Sequence, residues 1–416
     1  VFSAGKSAMV ITIDGSINPV TAEFITESIK TADKDPDIEV LVIEMDTPGG
    51  LDTSMRQIIK GMQAAKKPVV VYVAPSGSRA ASAGAFITVA AHVAAMAPGT
   101  NIGSASPVNM GGGGMDKTMK KKVTNDAAAY IKSLAEAHGR NGKLAEKFVR
   151  KSSNMPETEA KKENIIDFIA DDLPSLLKAI DGTKVKTSAG ERTLKTAGLT
   201  IKKQGMNWRQ EVFNALANPN IAYILMMLGF YGLFFELSNP GSIVPGVIGA
   251  ISLILAFYSM QTLPINYAGA LLIALAVILF LLEIKVPSYG ILTIGGIISF
   301  TIGSMMLVDS PEEYLNISFS VIAPTAILTA AFFLFLVGSA IKIQSKKTKT
   351  GKEGMIGAEG VVDSVISGGK AGTIFVVGEL WNAVTDADDI KKGESVEVTG
   401  QNGLTLIVKP RGKGAS

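Results

Sequence analysis

Between Ile221 and Val308 the chain carries only three charged side chains, Glu236, Glu283 and Lys285. So long a stretch with so little charge cannot be the surface of a water-soluble domain, and it reads as membrane-embedded helix. With the apolar run that follows, five spans are expected, near 221–237, 242–260, 265–284, 287–308 and 318–341. Each is close to the roughly 17 to 25 residues a bilayer requires. The link "SNPGSIVPG" has too many breakers for a continuous helix and reads as a re-entrant or tightly turned segment. Lys342, Lys346, Lys347, Lys349 and Lys352 follow the last span, whereas Glu236, Asp309, Glu312 and Glu313 mark other loops. That asymmetry predicts a cytoplasmic C-terminus; five crossings then place the N-terminal domain outside, and four or six would place it inside.

The flanks are of another kind. At 416 residues the chain is long enough for two or three domains. Residues 1–183 alternate short β-branched runs with amphipathic patterns. "AMVITIDGSI", "IEVLVIEMDTPGG" and "PVVVYVAP" read as strands, and "PVTAEFITESIKTA" and "LDTSMRQIIKGMQAA" as helices. Continuously apolar strands separated by helices predict a parallel α/β sheet covered on both faces, with functional loops at the carboxyl ends of its strands. Residues 184–218 are expected to hold a small hairpin and a juxtamembrane helix, "NWRQEVFNALANPN". That helix lies either in the membrane interface or against the soluble domain. The membrane region is bounded at 219–342, and a basic linker at 343–353 leads to short strands over 354–412 that predict a small all-β barrel.

Composition excludes several functions. The formal net charge is only +3, with no basic stripe interleaved with aromatics, so nucleic acid is not an expected partner. With no cysteine and only His92 and His138, there is no thiolate chemistry, disulfide or histidine-rich metal site. No G-x-x-x-x-G-K-[ST] loop is present, so no nucleotide is expected to be required in cis; no cofactor is expected. The sequence opens at Val1 without a recognisable signal peptide, as a processed N-terminus would also do.

Chemistry concentrates around "SRAASAGAF", residues 78–86, where Ser82 stands between a strand and an apolar helical run, "SAGAFITVAAHVA". A serine at a helix start is ordinarily an N-cap, but the same position offers backbone N–H groups and a dipole that favour negative charge. The diglycine of "DTPGG", Gly49 and Gly50, ends a buried strand. It can be a tight turn, or it can let backbone N–H groups approach a developing oxyanion. A nucleophilic serine also needs a base. His92, ten residues further along the expected helix, would lie about 15 Å away. His138 reads as a solvated helix C-terminus. Lysine serves if neutral, and burial can lower its usual value of about 10.4 far enough. Lys117, Lys120, Lys121 and Lys122 follow the glycine run 111–114. Lys122 stands just before Thr124 and Asn125, read as caps of the next helix, and is favoured for its fixed backbone; Lys120 and Lys121 remain alternatives.

These motifs, in this order, resemble the ClpP-class serine peptidases on the ClpP/crotonase fold, and in particular the membrane-bound branch found in long-form NfeD proteins. The matching segments are Asp46 to Gly50, Ala80 to Phe86, "AMAPGTNIGSASP" at 95–107 and "KVTN" at 122–125. The spans followed by a barrel with "GELWNA" and "LTLIVKP" are similar to the NfeD membrane region and its OB-fold domain. The resemblance implies a Ser-Lys dyad, with Ser82 as nucleophile and Lys122 as general base. It implies oxyanion donors at the N–H groups of Gly50 and Ala83, and substrate contacts at Gly49, Gly99, Thr100 and Ile102. Arg79 reads as an exposed loop residue, and the glycine run as a loop that orders around substrate.

The activity implied is that of a membrane-anchored, ATP-independent serine endopeptidase cleaving peptide segments of membrane-associated proteins. A stomatin-like (SPFH) protein is the implied partner, and a homo-oligomer the implied assembly. The rival readings are a non-enzymatic scaffold for stomatin-like assemblies and a signal-peptide-peptidase-like enzyme.

Overall fold

The structure, a computed structural model, describes residues 6–108, 116–238, 241–260, 265–286, 288–308, 310, 316–344, 352–368 and 370–411. The N-terminal domain runs β1 (Ser7–Asp14), α1 (Pro19–Lys34), β2 (Ile38–Asp46), α2 (Asp52–Ala64), β3 (Val69–Val73), β4 (Arg79–Ala81), α3 (Ala83–Val89), β5 (Val93–Met96) and β6 (Asn101–Gly103). It continues with α4 (Lys117–Ala137), α5 (Gly142–Arg150), β7 (Asn154–Pro156), α6 (Glu157–Lys162), β8 (Phe168–Ile169) and α7 (Leu173–Ala179). After these come β9 (Lys184–Thr187), β10 (Gly190–Thr193), β11 (Thr200–Lys203) and α8 (Trp208–Leu216). Six strands form one parallel sheet in the order β11-β1-β2-β3-β5-β8, and β4-β6-β7 form a smaller one.

The apolar strand runs are explained by what lies on each face. Alternate residues point to opposite sides. Ile11, Ile43 and Val71 join a core with α1 to α5, whereas Val10, Val42 and Tyr72 join a second core with α7 and the β9–β10 hairpin. Neither face meets water, so strict alternation of polar and apolar residues is lost.

Two elements depart from the sequence reading. The hairpin expected from Thr183 to about Ile201 closes at Thr193, and Thr200–Lys203 instead pairs in parallel with β1 at the sheet edge. The run expected to be one helix from Ser82 past His92 stops at Val89, because Val93–Met96 is needed as a central strand between β3 and β8. The juxtamembrane helix α8 packs on the soluble domain. Asn207 and Gln210 form a capping box, Gln210 Nε2 donates to Glu27 at 2.8 Å, and Arg209 pairs with Glu23 at 3.6 Å. Trp208, 78% exposed, and Val212 lie outside that contact.

Five apolar helices follow: α9 (Pro219–Ser238), α10 (Ile243–Met260), α11 (Tyr267–Lys285), α12 (Ile291–Met306) and α13 (Phe319–Gln344). Among the described residues three are long and apolar enough to cross a bilayer, 219–238, 243–260 and 319–336. The other two expected spans are shorter, at 267–283 and 291–306. Their link folds back early because Glu283 caps α12, accepting from Ser288 Oγ at 2.7 Å, Gly290 N at 3.1 Å and Thr293 N at 2.9 Å. The α9–α10 pair packs through glycine: a Cβ at Gly232 would sit 2.4 Å from Pro245 O.

The C-terminal part holds α14 (Lys352–Met355) and a closed barrel of β12 (Glu359–Ser364), β13 (Gly372–Val376), β14 (Glu379–Val384), β15 (Ser395–Asn402) and β16 (Thr405–Pro410). Val362, Ile374, Val376, Val398 and Leu406 fill its interior. The fold class read from sequence is therefore the one observed: a ClpP-like α/β domain, a helical membrane region and a small OB-like barrel.

Candidate active site

The carboxyl ends of β1, β2 and β4 are laced together by backbone. Thr47 N donates to Arg79 O at 2.8 Å and Thr47 O accepts from Ala81 N at 3.0 Å, so the diglycine turn and the serine loop are fixed to each other directly. Thr47 is wholly buried, and its hydroxyl accepts from Gly49 N at 3.1 Å. Small residues after Ser82 permit this approach: a Cβ on Gly84 would fall 2.5 Å from Thr47 Cγ2. Gly50 is equally confined, since its Cβ would fall 2.2 Å from Ile17 O.

Ser82 occupies the N-cap position of α3 but does not behave as a cap. Its φ is 51° and ψ −116°, and its side chain makes no hydrogen bond to the helix it heads. Its N–H is held by Gly103 O at 3.0 Å, and its carbonyl accepts from Ala85 N at 3.0 Å. A left-handed φ at a residue with a side chain costs on the order of 1–3 kcal/mol and persists where surrounding contacts enforce it. Here they leave the hydroxyl uncommitted by the helix.

The hydroxyl stands in a cavity of about 390 Å³. Gly50 and Ala83, the two expected oxyanion donors, line it with Ser82. Met55 and Phe86 supply apolar wall, and α4 contributes Val123, Asp126 and Ala127. The strip Ala105 to Val108 closes another side. Of the expected substrate contacts, Thr100 and Ile102 are 2% and 0% exposed inside the fold, and Gly99 serves a turn whose carbonyl accepts from Gly77 N at 3.2 Å. The wall is made by the residues just beyond them. Gly49, at φ 128°, holds the turn through its carbonyl, which accepts from Ile17 N at 2.8 Å.

The lysines lie on regular helix. α4 starts at Lys117, capped by Asp116, so Thr124 and Asn125 are interior residues and not caps as expected. The hydrophobic and helix-forming residues further on extend the helix back through the lysine run. Lys122 is exposed and stands one turn before Asp126, on the flank of the cavity-facing strip. Lys120 flanks the other side of that strip, and Lys121 falls on the opposite face. The glycine run 111–114 lies outside the described residues. Arg79 is exposed, as expected, but it opens strand β4 and does not lie in a loop.

The histidines are remote from this chemistry. His92 Nδ1 accepts from Val69 N at 3.1 Å, and its ring meets His138 edge to face at 5.9 Å. The expectation of a solvated His138 is corrected: burial, then the charge of Arg140, lower its pKa to about 4. The sequence reading also missed a charged cluster at the cavity rim. Arg56 contacts Asp52 at 2.9 Å and Asp126 at 2.6 Å and lies 4.4 Å from the centre of the Tyr130 ring. Burial opposes the Arg56 charge, but the bonds and charges of the two aspartates outweigh it and raise its pKa. The i,i+4 spacing of Asp52 and Arg56 was its only sequence signal.

A strained serine beside a diglycine turn, at the carboxyl ends of a parallel sheet and joined to membrane helices, defines a membrane protein with a ClpP-like N-terminal domain. Family profiles match in succession: the N-terminal domain of NfeD1b over 7–188, the NfeD integral membrane domain over 220–339, and the NfeD-like C-terminal, partner-binding domain over 352–410. The chain is 38% identical over 410 residues to the membrane-bound protease PH1510 of Pyrococcus horikoshii, covering 96% of this chain and 92% of that one. It is 27% identical over 427 residues to the membrane protein NfeD1b of Bacillus subtilis, covering 97% and 93%. The chain belongs to the NfeD family.

Solved structures that it resembles include the 1510-N membrane-bound stomatin-specific protease, as a lysine-to-alanine mutant in complex with a substrate peptide. That match has 33% identity, 51% of this chain, 98% of that chain and a TM-score of 0.48. Another is the C-terminal domain of the stomatin operon partner protein 1510-C from Pyrococcus horikoshii, at 46% identity, 15% of this chain, 98% of that chain and a TM-score of 0.14.

Proposed function

We propose that the chain is a membrane-anchored, ATP-independent serine endopeptidase acting by a Ser-Lys dyad on segments of a stomatin-like membrane protein. The observation that carries this reading is Ser82 itself, held at φ 51° with a hydroxyl that caps nothing, in a cavity shared with Gly50 and Ala83. The 38% identity to a protein named a membrane-bound protease supports it, as does the stomatin named for the solved relatives. Ser82 Oγ attacks the peptide carbonyl carbon while Lys122 Nζ, neutral, takes the hydroxyl proton. The N–H groups of Gly50 and Ala83 receive the negative oxygen. Lys122 then returns the proton to the leaving amine; in the second half Lys122 Nζ takes a proton from water as its oxygen attacks the acyl carbon, and passes that proton to Ser82 Oγ as the acid departs. An exposed Lys122 must be covered to act in this way, so the bound peptide covers it in the productive complex. Ala105 to Val108 is the strip that holds the substrate.

Three or five crossings are both odd, so the protease domain and the barrel lie on opposite faces of the membrane. The lysines after the last span put the barrel in the cytoplasm. Copies of the ClpP-like domain assemble side by side as a homo-oligomer.

Exposure of Lys122 is the observation that favours the second reading, a scaffold with a dormant peptidase fold. Labelling with a fluorophosphonate separates the two. The wild type is expected to label at Ser82 and to hydrolyse stomatin-derived peptides, Ser82→Ala to do neither, and Lys122→Ala to lose about 10²- to 10⁴-fold in rate. Full activity in either variant removes that residue from the mechanism.

A further inference from the structure

Besides Thr47, a second buried residue, Ile17, holds the diglycine turn. Ile17 donates its N–H to Gly49 O at 2.8 Å and accepts from Leu51 N at 2.9 Å, so one peptide strand fixes both sides of Gly50. The next residue, Asn18, is 8% exposed and caps α1, its Oδ1 accepting from Thr21 N at 2.9 Å. With the oxygen committed to that cap, the amide nitrogen faces away, and it donates to Asn214 Oδ1 at 2.9 Å on the juxtamembrane helix α8. The same C-terminal turn of the helix is tied to the membrane region. The Phe213 ring lies 5.7 Å from that of Tyr258 on α10, and the Ser259 hydroxyl donates to Leu216 O.

We propose that Asn18 and Asn214 are positioning residues for the oxyanion turn, so that the juxtamembrane helix, anchored on α10, sets the aim of the Gly50 N–H. This rests on reading Gly50 as an oxyanion donor. Such a donor is effective only where its N–H points at the place the oxyanion will occupy, and small displacements are costly. Every link from α10 to Gly50 is a direct contact or a peptide bond, and the Ile17 carbonyl lies so close that Gly50 has no room for a side chain. The two bonds of the Asn18 amide also fix the start of α1, so the strand end that carries Ile17 has one setting.

The test uses the full chain in detergent micelles, with Asn214→Ala, Asn214→Ser and Asn214→Asp. The aspartate keeps an oxygen that accepts from Asn18; alanine, the best helix former, leaves α8 intact, and serine repeats the loss of the amide with a different side chain. Hydrogen exchange of the Leu51 amide, which Ile17 O protects, is expected to quicken about tenfold in the alanine and serine variants. In the same variants kcat for peptide hydrolysis is expected to fall about tenfold with KM within about twofold, and the aspartate to restore both. Wild-type exchange at Leu51 in the alanine and serine variants overturns the proposal, as does faster exchange with an unchanged kcat. If exchange responds but even the wild type cleaves no peptide, the hold of α8 on the turn is supported and the peptidase reading fails instead.

Discussion

Acidification from about pH 6.5 towards 4 should loosen the N-terminal domain through the pair His92 and His138. His92 is only 9% exposed, and burial, reinforced by the charge of Arg140, lowers its pKa from 6.5 to about 4. His138 reaches about 4 by burial, Arg140 and His92 itself. Arg140 cannot move aside: its guanidinium donates to Val89 O and Ala91 O at 2.8 and 2.7 Å and pairs with Asp167. Protonating Nδ1 of His92 would also displace the Val69 N–H it accepts. Both folded values lie below the unfolded one, so the unfolded chain binds more protons in between. Stability is full above about pH 6.5 and falls as pH drops towards 4. At about 1.4 kcal/mol per unit, the His92 shift corresponds to roughly 3 kcal/mol. The two shifts share Arg140 and their mutual repulsion, so they do not add, and the pair is worth about 4 kcal/mol. In a domain of this size that lowers Tm by about 8–16 °C. Calorimetry of the solubilised chain at pH 7, 5.5 and 4 would read it against a His92→Gln, His138→Gln double variant, which keeps an acceptor for Val69. Carboxylates act in both proteins, so the difference belongs to the imidazoles. Equal losses of Tm on acidification would refute the reasoning.

Other consequences are direct. Ser82→Gly relieves a φ of 51° and should stabilise the N-terminal domain by about 1 kcal/mol while abolishing fluorophosphonate labelling, read as a higher Tm in an inert protein. Gly84→Ala drives a methyl into Thr47, whose hydroxyl is committed to Gly49. A destabilisation of about 1–3 kcal/mol is expected, measured by denaturant unfolding of the N-terminal domain. Glu283→Ala strips three donors of their acceptor at the start of α12 and should destabilise the α11–α12 hairpin by about 1–2 kcal/mol, read as faster protease nicking between the two helices. Arg56→Ala breaks two partly exposed ion pairs and should change stability by less than about 1 kcal/mol in a thermal melt.

Local chemistry determined a great deal of this protein from sequence alone. The β-branched run Val69 to Val73 has one economical use, as a doubly covered parallel strand, and the charge-free helices have one solvent that suits them. Ser82 and the diglycine turn were legible because small residues are required wherever two backbones meet, and a run of them between a strand and a helix marks such a place. Long-range contact decided the rest. Whether Ser82 capped its helix depended on Gly103 and Thr47, which impose its φ from other strands. The helix through the lysines began eight residues earlier than the Thr124 cap suggested, because Asp116 captured its first turn. His138 was read as solvated and is half-buried against His92, a neighbour forty-six positions away in the sequence. The partnership of Ile17 with Gly49 and Leu51, and of Asn18 with Asn214, leaves no local trace, since a side-chain amide or a carbonyl looks the same whatever meets it across the fold. Sequence thus set which groups were available and which surfaces had to be buried; the tertiary structure set their aim, because direction is fixed by partners distant along the chain.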